Sequence, residues 1–277
     1  MRLRLPRGSG RTAPPRPLSV ARRRGLVGIG LTLTAVAVGF AGLVGVNAMA
    51  SQTVRESHTY AFTGKALSVD VALGEVEVVP GKDGEITVAR RLTYGLRRPF
   101  VEERIDGDTF RVRDADCTAD SFFPCRVRWL LQVPRSLLVE VRTVAGSIIA
   151  SGLSGTVKLT SVSGSVRAIG PSGALVTLRS HDGSVTAQNV SSAQVVATSD
   201  TSFVNLTFRT PPALVVGRSQ TGRVGVVLPD GDQAYKVTAE AGGSRTVAVS
   251  KTDDQAKRKI DIRSAKGDVS VFQSPEN

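Results

Sequence analysis

The sequence of 277 residues contains few of the side chains that build metal centres. It has two cysteines, Cys117 and Cys125, and two histidines, His58 and His181. A structural zinc site normally takes four such ligands, often in closely spaced pairs, and no Cys-x-x-Cys pair occurs here. The sequence therefore predicts no metal site and no other cofactor. In an oxidising compartment the two cysteines are expected to form a disulfide that closes a small loop, with two buried free thiols as the alternative.

Acidic residues are absent from the first 24 positions, which contain eight arginines. The remainder of the chain has 28 basic and 24 acidic residues, so most of the net charge of +12 belongs to this tail. Because the rest of the chain is nearly balanced, we expect no nucleic acid as a partner. Large apolar residues are also scarce in the tail, which predicts a disordered, arginine-rich cytoplasmic segment at 1–24.

No charged residue occurs from 25 to 50, where the chain is almost entirely apolar. The densest part, 26–46, would span about 31 Å as a helix, which matches the hydrocarbon core of a bilayer. Basic residues before this run predict a cytoplasmic N-terminus and an extracytoplasmic remainder. We expect a retained signal anchor that crosses the cell membrane once. Residues 48–50 also fit the recognition sequence of signal peptidase, so cleavage after Ala50 is the alternative.

The sequence is rich in a short motif, Ser-x-x-Gly, that is followed two residues later by valine. Residues 161–166 read SVSGSV and residues 180–185 read SHDGSV, with further copies at 219–224 and 264–269. The glycine position, which serine occupies in one copy, recurs at 146, 164, 183, 202 and 222. These positions are 18 to 20 residues apart. A nearly constant period of this kind indicates a stack of repeated units.

Apolar and polar residues alternate on both sides of the motif, as in strands with one buried face. Val157 and Leu159 precede Gly164 with the same parity as Val166 and Ala168 after it. Each unit is therefore predicted to be two short strands joined at a tight bend. The predicted bends are at Gly74, Gly146, Gly164, Gly183, Gly222 and Gly267. The motif serine is expected to bond a turn amide, and the glycine to permit positive φ or close approach of the next coil.

These patterns predict five parts of the chain. They are the tail at 1–24, the transmembrane helix at 25–50, a polar stem at 51–64, a first β unit with a hairpin-rich, disulfide-containing cap at 65–137, and a β-repeat domain at 138–273. One hairpin is expected around Asp106 and Gly107. The predicted fold class is all-β, a solenoid-like stack of two-strand repeats of the β-helix or β-roll type. The cap would cover one end of that stack.

No arrangement of residues in the sequence predicts catalysis. His181, Asp182 and Ser184 are close in sequence, but adjacent strand residues point to opposite faces and cannot form a nucleophile and its base. Glu102 and Glu103 diverge for the same reason, and we expect them at a solvated edge. No glycine-rich phosphate loop occurs between a strand and a helix. We therefore expect that the protein is not an enzyme.

One column of outward side chains is a candidate ligand-binding surface. Arginine or threonine stands four residues before each glycine position, so that stacked coils would align these side chains. The members are Arg142, Thr160, Arg179, Thr198, Arg218 and Arg263. Such a stripe would suit an anionic wall polymer or another phosphate-rich partner. The alternative is a solvated face whose arginines and threonines serve solubility and edge protection.

The repeat region resembles the bacterial putative-adhesin family of unknown function, whose members carry β-strand repeats with a Ser/Thr-x-x-Gly bend. The resemblance begins at the dipeptide Val133-Pro134, which leads into the repeats, and covers roughly 65–272. The glycines that carry it are Gly146, Gly155, Gly164, Gly173 and Gly183. It fits least regularly at 94–130. The resemblance implies a β-repeat fold and adhesion, and it supplies no catalytic residues.

Together these features predict a membrane-anchored extracytoplasmic β-repeat protein with a structural or adhesin-like role in binding cell-envelope or surface ligands. The alternative is an envelope-stress sensory or accessory module that acts through a membrane partner. The expected partners are the membrane itself and an anionic cell-wall polymer or another envelope protein.

Overall fold

The structure, a computed structural model, describes residues 37–39, 52–95, 98–114 and 125–274. The chain divides into two units, Met1–Met49 and Ala50–Asn277. In the first unit, residues 37–39 are helical. The predicted tail at 1–24 and the rest of the predicted membrane segment lie outside the described residues. Within the described ranges, no helix has the length and apolar character that a membrane crossing needs.

The described part of the second unit forms 20 strands, and β2 joins their two ladders into one hydrogen-bonded set, which confirms the prediction of an all-β protein. The strands are β1 Gln52–Ala61, β2 Ala66–Pro80, β3 Glu85–Tyr94, β4 Val101–Asp106, β5 Thr109–Asp114, β6 Cys125–Val133, β7 Leu138–Ala145, β8 Ile148–Ser151, β9 Val157–Ser163, β10 Val166–Ile169, β11 Leu175–Ser180, β12 Val185–Val190, β13 Gln194–Ser199, β14 Val204–Phe208, β15 Leu214–Ser219, β16 Val224–Leu228, β17 Tyr235–Ala241, β18 Arg245–Ala248, β19 Arg258–Ser264 and β20 Val269–Gln273.

Two long ladders of strands, here called sheet A and sheet B, enclose the core. The long strand β2 belongs to both, with its first half in sheet B and its second half, from Gly74, in sheet A. The odd-numbered strands from β7 to β15 then stack in parallel in sheet B. The even-numbered strands from β8 to β16 stack in parallel in sheet A. Each odd strand and the even strand after it form one coil, as the two-strand unit of the sequence predicts.

The core lies between the two sheets and consists of the inward residues that the alternation predicts. Val157, Leu159, Val166 and Ala168 belong to one coil, and each is at most 1 % exposed. Burying one such large apolar side chain contributes about 1.5–3 kcal/mol. Ordering the backbone and side chain of one residue costs about 1.5 kcal/mol. A single coil therefore cannot fold alone, and the stack depends on contacts between coils.

The N-terminal end of the stack is elaborated by five strands. In sheet B, β5 pairs in parallel with β2, and β4 forms a hairpin with β5 around Gly107, as predicted. In sheet A, β6 pairs in parallel with β2, and β3 and β1 follow in antiparallel order.

The predicted stem at 51–64 is corrected by the structure, because residues 52–61 form β1 and pair with β3 along their whole length. One side of β1 carries Val54, Glu56, His58 and Tyr60. Charged and apolar residues are mixed on that side, so no apolar alternation marks the strand in the sequence.

The C-terminal end of the stack has an order that differs from the order along the chain. In sheet B, β19 lies between β15 and β17, and in sheet A, β20 lies between β16 and β18. The last coil of the chain, β19 and β20, therefore lies between the coil of β15 and β16 and the coil of β17 and β18. The coil of β17 and β18 ends the stack. A bridge between Tyr235 and Thr252 folds the chain after β18 back towards the start of β17.

Candidate ligand-binding face

The bends that set the register of the coils are held by the motif hydroxyl groups. Ser180 accepts a hydrogen bond from the amide of Gly183 at 2.8 Å and donates one to the carbonyl oxygen of Gly164, in the preceding coil, at 2.8 Å. The same two bonds recur at Ser199, Ser219 and Ser264. The bond to the turn amide is the one that the sequence predicts. The bond to the preceding coil is an addition from the structure, and it couples neighbouring bends.

Glycine is the residue at six of these bends, where successive coils approach closely, and serine takes its place at position 202. A Cβ atom on Gly183 would lie 1.9 Å from the carbonyl oxygen of Gly164, and one on Gly164 would lie 2.1 Å from that of Gly146. No side chain fits at such a distance. The structure places all six predicted bend glycines in this kind of contact, the others being Gly74, Gly146, Gly222 and Gly267. The bends therefore stack directly on one another.

Because the bends are in register, the outward residues four positions before them form one column on sheet B. The order along the column is Asp70, Arg142, Thr160, Arg179, Thr198, Arg218, Arg263 and Glu240. The structure thus brings together all four arginines that the sequence singles out. It also adds an acidic residue at each end of the series.

Three of the four arginines are engaged by acidic residues that the sequence reasoning did not consider. Arg142 pairs with Glu140. Arg218 forms a two-pronged pair with Asp261, with distances of 3.0 Å from Nη1 to Oδ1 and 2.6 Å from Nη2 to Oδ2. Nε of Arg263 lies 3.2 Å from Oδ1 of the same aspartate. These hydrogen bonds, first of all the bond from Arg218, lower the pKa of Asp261.

A simple sequence signal could have found these acids. Glu140 and Asp261 stand two residues before Arg142 and Arg263, so they share the outward parity of the arginines. Residues two apart on a strand point to the same face. Glu140 and Asp261 therefore belong to the column next to the arginines on the same face, which the prediction from sequence did not include.

Arg179 differs from the other three arginines of the column. Its side chain is exposed, and no described residue forms an ion pair with it. Its direct neighbours across the strands are Thr160 and Thr198, which are polar and uncharged. Nζ of Lys158, on the neighbouring coil, lies 3.0 Å from Oε1 of Glu140. Arg179 is therefore the arginine of the column whose guanidinium group is open to a ligand.

His181 lies at the bend of the same coil and belongs to an exposed ion pair. Its Nδ1 is 2.6 Å from Oδ2 of Asp200 in the next coil, and its Nε2 is 3.7 Å from Oδ1 of Asp182. The hydrogen bond to Asp200 and the charge of Asp182 raise the pKa of His181. In the part of the chain that the structure describes, no hydrogen bond joins His181 to Ser184.

A buried polar layer at the N-terminal end was missed by the sequence reasoning. Arg90 of β3 donates to Glu56 of β1 over 2.7 Å and also pairs with Glu103 of β4. Tyr60 donates to Glu103 over 2.7 Å, and burial together with this bond raises the pKa of Tyr60 to about 12. The prediction that Glu103 lies at a solvated edge is wrong, since its side chain is 5 % exposed. Arg90 of this layer covers the ring of Trp129, and its guanidinium carbon lies 6.0 Å from the ring centre.

Of the two cysteines, Cys125 lies within the described residues. Cys125 opens β6 opposite Tyr94, whereas Cys117 lies outside the described residues, so their disulfide stays a prediction. Among the described residues, no group of three or more histidine, cysteine or acidic side chains is placed to hold a metal ion.

The fold and the column define the class of this protein: an all-β, solenoid-like stack with a regular external face. No family model and no curated sequence matches the chain. Similar solved structures include a putative adhesin from Bacteroides fragilis, at 12 % identity and a TM-score of 0.46, over 80 % of this chain and 97 % of the other. A putative adhesin from Parabacteroides distasonis is similar at 12 % identity and a TM-score of 0.44, over 79 % and 97 % of the two chains. A putative cell adhesion protein from Clostridium sporogenes is similar at 11 % identity and a TM-score of 0.35, over 80 % and 100 %.

Proposed function

We propose that the chain is a membrane-anchored extracytoplasmic protein whose sheet B binds an anionic polymer of the cell envelope in an adhesin-like role. The observation that carries the proposal is the column on sheet B, in which exposed Arg179 stands between Thr160 and Thr198. Anchoring is proposed from the uncharged apolar run at 25–50. The proposal assigns binding to the chain and no reaction.

The spacing of the column suits a polymer with repeated negative charges. Neighbouring strands lie about 4.8 Å apart, so Arg142, Arg179 and Arg218, on alternate coils, repeat at about 10 Å. A phosphate-containing chain laid along the stack would therefore meet a guanidinium group at every second coil. The threonines between them offer hydroxyl groups that donate to phosphate oxygens.

The acids beside the column determine which arginines matter most. Arg142 and Arg218 already pair with Glu140 and Asp261, so a ligand must compete with these carboxylates for their N–H groups. Arg179 needs no such exchange. We therefore expect Arg179 to supply most of the affinity. The paired arginines would fix the orientation and position of the polymer along the column.

The test is salt-dependent retention of the full chain, in detergent, on an immobilised teichoic-acid-like polymer. Exposed ion contacts weaken as salt screens them, so retention should fall as salt rises. Replacing Arg179 with serine should remove most of the salt-sensitive retention, and Glu140→Gln, which frees Arg142, should strengthen it. The matched control is Arg209→Ser, an exposed arginine outside the column. Unchanged retention of the Arg179 variant would refute the proposed face.

Anchoring is tested separately by sequencing the N-terminus of the mature protein and by washing membranes at alkaline pH. The proposal expects a chain that stays with the membrane and retains the apolar run at 25–50. A mature chain that begins at Ser51 and leaves the membrane would refute the anchor while leaving the binding face open to test.

A further inference from the structure

A second basic surface lies on the outer face of sheet A, near its N-terminal edge. Arg55 of β1 is directly opposite Arg91 of β3, and Arg91 is directly opposite Arg128 of β6. All three side chains are exposed, and they are here called the arginine row. Nε of Arg128 lies 2.8 Å from Oε2 of Glu75. Within the described ranges, neither Arg55 nor Arg91 has an ion-pair partner.

The arginine row has no role in packing that would explain it. Like charges directly opposite each other on neighbouring strands destabilise a sheet, and here two such contacts follow in succession. The core beneath is filled by the alternate residues of the same strands, such as Leu92 and Val127, which are fully buried. A feature that weakens the sheet without serving the core is typical of a binding site, where a ligand of opposite charge removes the repulsion.

Beside the arginine row lies a shallow groove of about 320 Å³. Its floor includes Ala89 and Leu130, which are directly opposite each other and point outward next to the row. Glu56 also borders the groove but is already paired with Arg90 and Arg98. The groove thus combines a cationic wall with an apolar floor. That combination favours an amphiphilic anion, a phosphate attached to glycerol and acyl carbon, over a wholly hydrophilic polymer.

The arginine row also lies close in sequence to the predicted membrane segment. Strand β1 begins at Gln52, immediately after the predicted membrane segment at 25–50. Arg55 follows Ala50 by five residues, which span at most about 17 Å when extended. The headgroup region of a bilayer extends about 5–8 Å beyond the hydrocarbon core. The tether therefore keeps the arginine row within reach of lipid headgroups.

We propose that the arginine row and its groove bind the headgroups of anionic phospholipids at the membrane surface. The inference rests on the proposed membrane anchor. Basic side chains near an anionic membrane surface each add to binding, and salt weakens this attraction. The contact would leave sheet B, on the other side of the core, free for an envelope polymer.

The experiment uses the full chain in nanodiscs of phosphatidylcholine, with or without phosphatidylglycerol, and measures amide hydrogen exchange in β1, β3 and β6. Phosphatidylglycerol should slow exchange in these strands, and high salt should reverse the effect. The double variant Arg55→Ser/Arg91→Ser should lose the lipid effect and yet remain folded, because it removes repulsion rather than a core contact. The matched control, Arg209→Ser, changes an exposed arginine outside the arginine row and should keep the full effect.

Two results would overturn the inference directly. One is equal exchange in both kinds of nanodisc, and the other is a lipid effect that the double variant retains. Equal protection by inorganic phosphate added to phosphatidylcholine discs would assign the row to soluble phosphate instead of a membrane. A chain that does not enter nanodiscs at all would contradict the anchor, and the inference would fall with it. A chain that enters but ignores phosphatidylglycerol would leave the proposed anchoring intact.

Discussion

The hydroxyl oxygen of Ser180 lies 2.8 Å from the carbonyl oxygen of Gly164, which belongs to the preceding coil. The same hydroxyl group accepts the amide hydrogen of Gly183. One buried side chain therefore satisfies two backbone groups that the bend removes from water. Repetition of this relationship along the stack is what keeps the outward columns of sheet B in line.

Replacing Ser180 with alanine should destabilise the domain by about 1–3 kcal/mol, because a carbonyl and an amide lose their partner in a buried place. Urea unfolding followed by far-ultraviolet circular dichroism measures the change. Ser163→Ala is the matched control, because this serine lies at the neighbouring bend but is exposed. The control should change stability by less than about 0.5 kcal/mol. Equal effects of the two variants would contradict the coupling role of the hydroxyl group.

Replacing Gly183 with alanine should be more damaging than the loss of a hydrogen bond. The new Cβ atom would meet the backbone of Gly164, and backbone cannot yield without separating the coils. We expect a loss of about 3 kcal/mol or more, or failure to fold. Gly107→Ala is the control, because it has positive φ but no atom within 4 Å of the new Cβ, so it reports backbone strain alone. Comparable thermal stability of the two variants would exclude close approach as the reason for glycine.

The repeat made much of the fold and of the column predictable from sequence. Strand alternation fixes which residues point inward, and a constant distance from the bend fixes which outward residues align. Arg142 and Arg179 could therefore be placed in one column without a structure. Their ion pairs were missed because Glu140 belongs to the next column, and pairing across columns depends on side-chain reach as well as on register.

Other parts of the fold could not be read from local pattern. Strand β1 is half polar on its inner side, because Glu56 meets Arg90 there, and the pattern of an amphipathic strand is lost. The place of β19 between β15 and β17 depends on long-range pairing, to which sequence order gives no guide. The arginine row was missed for the same reason, since its members come from three strands that meet only in the folded sheet.

The ion pair between His181 and Asp200 should appear in the titration of the histidine. Asp200→Asn should lower the pKa of His181 towards its ordinary value, because the main cause of the raised pKa is the bond to that carboxylate. The raised pKa means that the pair stabilises the fold at pH values below the ordinary histidine pKa, and that this contribution is lost as pH rises through the raised value. Proton NMR of the imidazole as a function of pH measures the pKa of His181 in both proteins. An unchanged titration in the variant would show that Asp200 does not hold the ring.

Asp114 should make stability fall as the pH rises from acid to neutral. Burial, first of all, and then the charge of Asp70 raise its pKa from 3.8 to about 6, against a hydrogen bond from the amide of Ala72 that lowers it. The folded state therefore binds the proton more tightly than the unfolded state does. The benefit is complete below pH 3.8 and is lost as pH rises through about 6.

Asp114→Asn removes the free-energy cost of ionising this buried carboxyl group at neutral pH. An amide keeps the oxygen that accepts from Ala72 and carries no charge. At pH 7.5 we expect the variant to be more stable by about 1–2 kcal/mol, after allowance for partial exposure. The advantage should vanish near pH 4. Asp108→Asn, at an exposed pair with Lys65, is the control for the loss of a surface carboxylate. A pH-independent effect of Asp114→Asn would contradict the raised pKa.

The inserted order at the C-terminal end predicts which coils open together. In the described part of the chain, β17 and β18 pair only with β19 and β20, apart from a single bridge to Thr252. Ile262→Ala in β19 truncates a fully buried side chain and should lower the free energy of unfolding of these coils by about 2–5 kcal/mol. Hydrogen exchange should then rise in both terminal coils. Val237→Ala in β17 should raise exchange in β17 and β18 while β19 and β20 stay protected. If β17 and β18 instead lay next to β15 and β16, the Val237 variant would open all four strands and the Ile262 variant only two.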